Sequence, residues 1–229
     1  TAPYNFVYGT DYSSNARAAM TAWYDEVWMK DPRFREARAK GEKPRVVMFY
    51  GFPTPYASAP IKALKDHAKL LGFEVGPDQD VSLVALDTKS QVLTANGFKP
   101  HLAWHGNTTM SVAATIKDAH ALGLGADHIV NNWGYDENLV RLAGPAAEGV
   151  MGIGGWNGDS PAIKDYLARH KASTANGAEP DRWASSVTYA SLQMLQQAIE
   201  RVGKIDRAAV IKDLQTGTFD TIIGKIKLE

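Results

Sequence analysis

The chain has 229 residues, enough for one large domain or two smaller ones with a substantial core. Charged residues make up 22% of it and balance to a formal net charge of zero, so no electrostatic footprint points to nucleic acid or to an anionic membrane surface. There is no cysteine, which excludes disulfides, thiolate chemistry and cysteine-ligated zinc, and no run of eighteen apolar residues to span a bilayer.

Residues 3–9 (PYNFVYG) read as a short strand. Thr10, Asp11, Ser13 and Ser14 supply helix-start chemistry. The helix after them buries a face of Ala16, Met20, Trp23 and Val27. The mixed charges of residues 30–43 read as a solvated helical extension and loop. The run from Arg45 to Val75 is the centre around which the chain is organised. RVVMFY is a buried strand, GFPTPYASAP a loop, and IKALKDHAKLLGFEV a helix with Ile61, Leu64, Ala68 and Leu71 on its apolar face, ended by Gly72. His67 falls on the solvent side of that helix.

Asp80–Leu86 is predicted as a second strand, with a short helix from Asp87 and Thr88 to Gly97. Lys99–Trp104 is a third strand, followed by a helix over 107–122 facing the core with Met110, Ala113, Ile116 and Ala119. Asp127–Asn132 is a fourth strand, 136–143 a helix and Gly149–Ile153 a fifth strand. Strand and helix alternate throughout, which argues an α/β fold with a parallel sheet and right-handed crossovers. At Gly152–Asp159, four glycines in eight residues mark a junction. Helices then predominate: 163–170, a long one over 182–202 with Val187, Ala190, Met194, Leu195 and Ala198 facing the core, and one from Lys204 or Asp206 carrying Val210, Ile211 and Leu214. TFDTIIGKIKLE reads as a β-hairpin or crossover around Gly224.

Several signatures can be set aside. Gly152–Gly155 begins like a dinucleotide fingerprint, but the last glycine position is Asn157 and the stretch lies late in the chain. No Walker-type phosphate loop and no G-x-S-x-G elbow occurs. His101 and His105, on one predicted strand, stand roughly 13 Å apart and cannot share a metal; no metal or cofactor is expected.

The remaining signal is positional, since ligands of open parallel sheets sit beyond the carboxyl ends of the strands. Four such ends carry Gly51–Tyr56, Asp87–Ser90, His105–Asn107 and Asn131–Tyr135. They gather aromatic and amide groups: Tyr56; Trp104, His105 and Asn107; Asn131, Asn132, Trp133 and Tyr135. The junction adds Trp156 and Asn157. No nucleophile is paired with a base and no two carboxylates face each other, so binding without catalysis is the expectation.

The order of these pieces resembles the type I periplasmic solute-binding proteins, the family of the leucine/isoleucine/valine-binding protein. The pieces are PYNFVYGTDYSSNARA, RVVMFYGFPTPYASAPIKALKDHAKLLGFEV, LDTKSQVLTANGFKPHLAW, ALGLGADHIVNN and AAEGVMGIGGW. The closing WASSVTYASLQMLQQAIERVGKIDRAAVIKDLQTGTFDTIIGKIKLE is similar to the family's long helix, short helix and terminal F-x-T-x-x-G-x-I motif. The resemblance implies two α/β lobes with parallel sheets flanked by helices: residues 9–150 as the second lobe, and 1–8 with 151–229 as crossovers and an incomplete first lobe. The family's opening βα units and its closing return segment lie outside this stretch. The resemblance further implies a periplasmic or lipid-anchored receptor that delivers a small amino acid, amide or aromatic acid to an ABC permease by hinge closure. It would work as a monomer, and Tyr56, His105, Asn107, Trp133, Tyr135 and Trp156 would face the solute. A ligand-sensing regulator of the same fold is left open. A hydrolase or dehydrogenase is disfavoured by the missing elbow and phosphate loop.

Overall fold

The apolar run Arg45–Tyr50 forms β1, a strand buried along both faces. Its alternation sorts the core: Val46, Met48 and Tyr50 pack with one set of helices, Val47 and Phe49 with another. The computed structural model describes residues 10–178, 180 and 182–228, so the strand expected over 3–9 lies outside the described residues. The chain divides into two compact units, with the described residues falling in 11–153 and in 10 with 154–228.

In the first unit β1 is central. Its other strands are β2 (Glu74–Val75), β3 (Gln79–Asp80), β4 (Leu102–His105), β5 (Asp127–Val130) and β6 (Met151–Gly152). The sheet runs β2-β1-β4-β5-β6, all parallel, and β3 continues along β1 beyond β2. Helix α1 (Tyr12–Trp23), capped by Asp11, and α4 (Ile61–Leu70) cover one face. The other face carries α5 (Lys89–Phe98), α6 (Thr109–Ala121) and α7 (Glu137–Ala143). Two short helices, α2 (Arg35–Ala39) and α3 (Pro55–Ser58), lie in the connections. Because α4 follows β1 on one face and α5 leads into β4 on the other, the winding reverses between β1 and β4. Such reversals open the crevice in which doubly wound sheets hold ligands.

Several expectations are corrected. The strand expected over 80–86 pairs only through Asp80. The Asn107 amide takes the carbonyl of Val81, a turn closes between Ser82 and Ala85, and Val84 and Leu86 are left exposed. The fifth strand shortens to Met151–Gly152. Beyond Trp23, α1 widens into a π-helical turn over Tyr24–Trp28, which rotates Trp28 into the core where a regular helix would have offered Val27. Met110, in the first turn of α6, is exposed. His67 is half-buried and bonded to Thr21 between α4 and α1 at 2.7 Å.

In the second unit, α8 (Pro161–Ser173), α9 (Arg182–Val202) and α10 (Arg207–Thr216) pack with an antiparallel hairpin of β7 (Thr218–Thr221) and β8 (Gly224–Lys227). Its cores are Met194, Ala198, Val210, Phe219 and Leu228, and Ile163, Tyr166, Ala190 and Ile222. Leu195, expected inside, is exposed. The side chain of Gln197 brackets Asp220 of β7, accepting from its N–H at 3.1 Å and donating to its carbonyl at 2.7 Å, while Gln193 accepts from the N–H of Ile222.

Candidate functional site

The loops after β1, β3, β4 and β5 meet at one edge of the first unit, and Asn107 locks three of them. Its Oδ1 accepts from the N–H of Gly51 at 2.9 Å, and its Nδ2 donates to the carbonyl of Val81 at 2.8 Å. Glycine lets the loops close on this clamp. A β-carbon on Gly134 would lie 2.6 Å from the Asn107 carbonyl and 2.7 Å from Val130. Asp136 fixes the loop after β5: its Oδ1 accepts from the N–H groups of Asn138 and Leu139 at the start of α7, and its Oδ2 from the Thr109 hydroxyl at 2.8 Å.

On this frame sits a group of aromatic rings. Tyr56, on the one-turn helix α3, meets Tyr12 edge to face at 5.1 Å between centroids. Trp133 donates its indole N–H to the Tyr12 hydroxyl at 2.9 Å and is 47% exposed. Burial pushes the Tyr56 hydroxyl to a higher pKa, only partly opposed by a hydrogen bond from the Trp133 backbone, and no described residue accepts the hydroxyl's own hydrogen. Tyr135, also exposed, lays its ring on Gly152, where a β-carbon would sit 2.0 Å from the ring.

The sequence-derived residues therefore separate. Tyr56 and Trp133 come together and Tyr135 lies on the same loop as Trp133. Asn107 is buried with its amide committed to the clamp. His105 is the last residue of β4, not a loop residue. It is buried, stacks on Phe49 at 5.3 Å and shares a 2.8 Å hydrogen bond with His128. Burial holds the pKa of His105 well below the ordinary histidine range and that of His128 down at about 4, so both rings are neutral. Trp156 belongs to the second unit, packed on the Ile163–Tyr166 core. Tyr12 is the residue that sequence reasoning missed. The first residue of an amphipathic helix carries no signal that its ring will meet a loop more than a hundred residues away.

The nearby carboxylates are engaged. Asp11 accepts from Ser14, Asp80 from the N–H of Phe52, and Asp78 from Tyr50 and Lys65. A surface depression of about 410 Å³ on α1 and α4, lined by Arg17, Lys62, Asp66, His67 and Leu70, is shallow and lies away from the rings.

A parallel sheet whose winding reverses at an edge furnished with half-exposed aromatic rings and fixed amides belongs to the class of α/β folds that hold small molecules at their strand ends. More specifically, the chain belongs to the periplasmic binding protein family, whose family model matches residues 1–229. A leucine-specific-binding protein of Salmonella typhimurium is 28% identical over 125 residues, 54% of this chain and 33% of that protein. A branched-chain amino acid ABC transporter protein of Thermus thermophilus, solved with bound valine, superposes with a TM-score of 0.70 at 23% identity, covering 92% of this chain and 53% of that one. An ABC transporter solute-binding protein of R. palustris, solved in complex with benzoate, superposes with a TM-score of 0.78 at 18% identity, covering all of this chain and 59% of that one. The chain thus spans little more than half the length of these solved relatives.

Proposed function

We propose that this chain is the solute-gripping part of an extracytoplasmic receptor serving an ABC importer, and that it binds its solute without transforming it. The observation that carries the reading is the Tyr12–Tyr56–Trp133 group at the carboxyl ends of β1 and β5. Aromatic faces with a few fixed polar groups are how small-molecule sites are lined, and a solute pressed against Trp133 would cover apolar surface now in water. Membership of the periplasmic binding protein family supports the receptor role and a periplasmic or lipid-anchored location. Among the described residues no helix is long and apolar enough to cross a membrane. Solved relatives hold valine in one case and benzoate in another, so the solute is sought among small amino acids, amides and aromatic acids. Residues 9–150 act as the second lobe, and 1–8 with 151–229 as crossovers and part of a first lobe.

Solute capture is tested by a thermal-shift screen against those three classes, followed by calorimetry on Tyr56→Ala and Trp133→Ala. Both variants are expected to keep the fold and to lose about tenfold or more in affinity. Full affinity in both would remove the site from this edge.

A further inference from the structure

The α1/α4 face of this edge contains buried hydrogen-bonding groups that the protein itself leaves unanswered. Trp104, in β4, is 1% exposed, and Asn131, just after β5, is 0% exposed. The indole N–H of Trp104 and the side-chain N–H₂ of Asn131 have no hydrogen-bond partner among the described residues, and the Tyr56 hydroxyl, approached by the Trp133 backbone N–H, has no acceptor for its own hydrogen. Register puts them together: Trp104 pairs with Ile129, so Gly106 and Asn131, two residues further on, both fall on the same face as Trp104. Gly106 keeps the backbone low between them. A β-carbon there would stand 3.6 Å from the Trp104 indole nitrogen and 3.1 Å from the carbonyl of Ala57, the neighbour of Tyr56.

A buried N–H without a partner is destabilising, and natural proteins keep such groups where something else answers them. Here an indole N–H and an amide N–H₂ can only donate, and a hydroxyl can donate. Among the described residues the carboxylates of this edge are held elsewhere: Asp11, Asp80 and Asp136 accept from backbone and hydroxyl donors, and Asp78, at the outer β2–β3 side of β1, is met at Oδ2 by Tyr50 and Lys65 while its buried Oδ1 has no partner.

Resting on the solute-binding reading above, we infer that this edge takes the oxygen end of the solute, a carboxylate or carbonyl accepting from Trp104, Asn131 and Tyr56, and rejects a basic nitrogen in that place. Rejection follows because an ammonium would face two groups that can only donate, Trp104 and Asn131, and leave their hydrogens unmatched, with the Tyr56 oxygen as its one acceptor among the three.

The experiment uses matched trios on the 229-residue chain: benzoate, benzamide and benzylamine, and 4-methylpentanoate, 4-methylpentanamide and 3-methylbutylamine. Binding is followed by titration of the tryptophan indole N–H resonances. The acid and amide of each trio are expected to shift the Trp104 signal and to bind at least about tenfold more tightly than the amine. Trp104→Phe and Tyr56→Phe keep the rings, remove one donor each, and are each expected to weaken benzoate binding about fivefold or more; if Trp104→Phe does not fold, Tyr56→Phe carries the test. Benzylamine binding as well as benzoate would overturn this inference and leave solute binding standing. No response of any tryptophan to any of the six probes would overturn both. If the Trp104 signal stays still while the Trp133 signal moves, a buried water between Trp104 and Ala57 is the better account, and the inference fails alone.

Discussion

Asn107 and Trp133 stand at the same edge of one sheet and use their polar atoms in opposite ways. Asn107 commits its amide to the backbone of two other loops and is sealed from solvent. Trp133 has its indole N–H tied to a single half-buried partner, and much of its ring stays in water. The first arrangement is what a rigid frame requires, since a buried amide is tolerated only when its bonds are made. The second suits a surface that awaits an apolar partner. Loops can carry binding groups accurately when residues like Asn107, Gly134 and Asp136 leave them no other conformation.

Substitutions can break this contrast, beginning with the frame. Asn107→Ala strands the Gly51 N–H and the Val81 carbonyl, and is expected to cost about 2–4 kcal/mol in urea unfolding. Acid is expected to act nearly as strongly through His105 and His128. Both pKa values are lower in the folded chain than in the unfolded one, whose histidines titrate near 6.5, so the unfolded state takes up protons first. Stability from this pair is complete above pH 6.5 and erodes as the pH falls, His128 alone accounting for roughly 3 kcal/mol by about pH 4 and His105 adding its own loss in the same direction. Unfolding midpoints measured between pH 7 and 4 should show that slope, and His128→Gln should reduce it to the share that His105 carries.

Gly134→Ala drives a β-carbon into the Asn107 carbonyl, which is backbone and cannot step aside, so about 1–3 kcal/mol is expected. Gly152→Ala makes a closer clash by distance, but what it meets is the Tyr135 side chain, an exposed ring that clears the β-carbon by turning about its own Cα–Cβ bond, and not backbone. A loss of about 1 kcal/mol or less is expected, recovered in a double-mutant cycle with Tyr135→Ala. Smallest of all is Trp133→Phe, which deletes one exposed hydrogen bond and should move stability by no more than about 0.5 kcal/mol. A large loss there would place Trp133 with the frame and end the contrast.

Periodicity made much of the fold legible. The spacing of Ile61, Leu64 and Ala68 gave the buried face of α4, and Gly72, at φ 82°, stops it in a conformation that glycine adopts without strain. Alternating strands and helices gave the parallel sheet. Position at strand ends singled out Tyr56 and Trp133. What spacing could not supply was parity at the ends of elements. His105 lies opposite Phe49 across the β1–β4 ladder and so belongs to the sheet interior, but one residue of uncertainty in where β4 stops turns an interior ring into a loop residue. The apolar run 81–86 looked like strand because the competitor for its backbone, the Asn107 amide, comes from elsewhere in the chain. Tyr12 was hidden for the same reason, its partner being Trp133.

The glutamine that brackets Asp220 bears on how these molecules behave in a crowd. A two-stranded hairpin has two open edges, and a bare edge is a template on which another copy can lay down a strand. Gln197 answers both backbone groups of Asp220 from the side of α9, so that rung is satisfied within the molecule. Gln197→Ala would uncover it, and concentrated solutions of the variant should form intermolecular β-structure sooner than the parent.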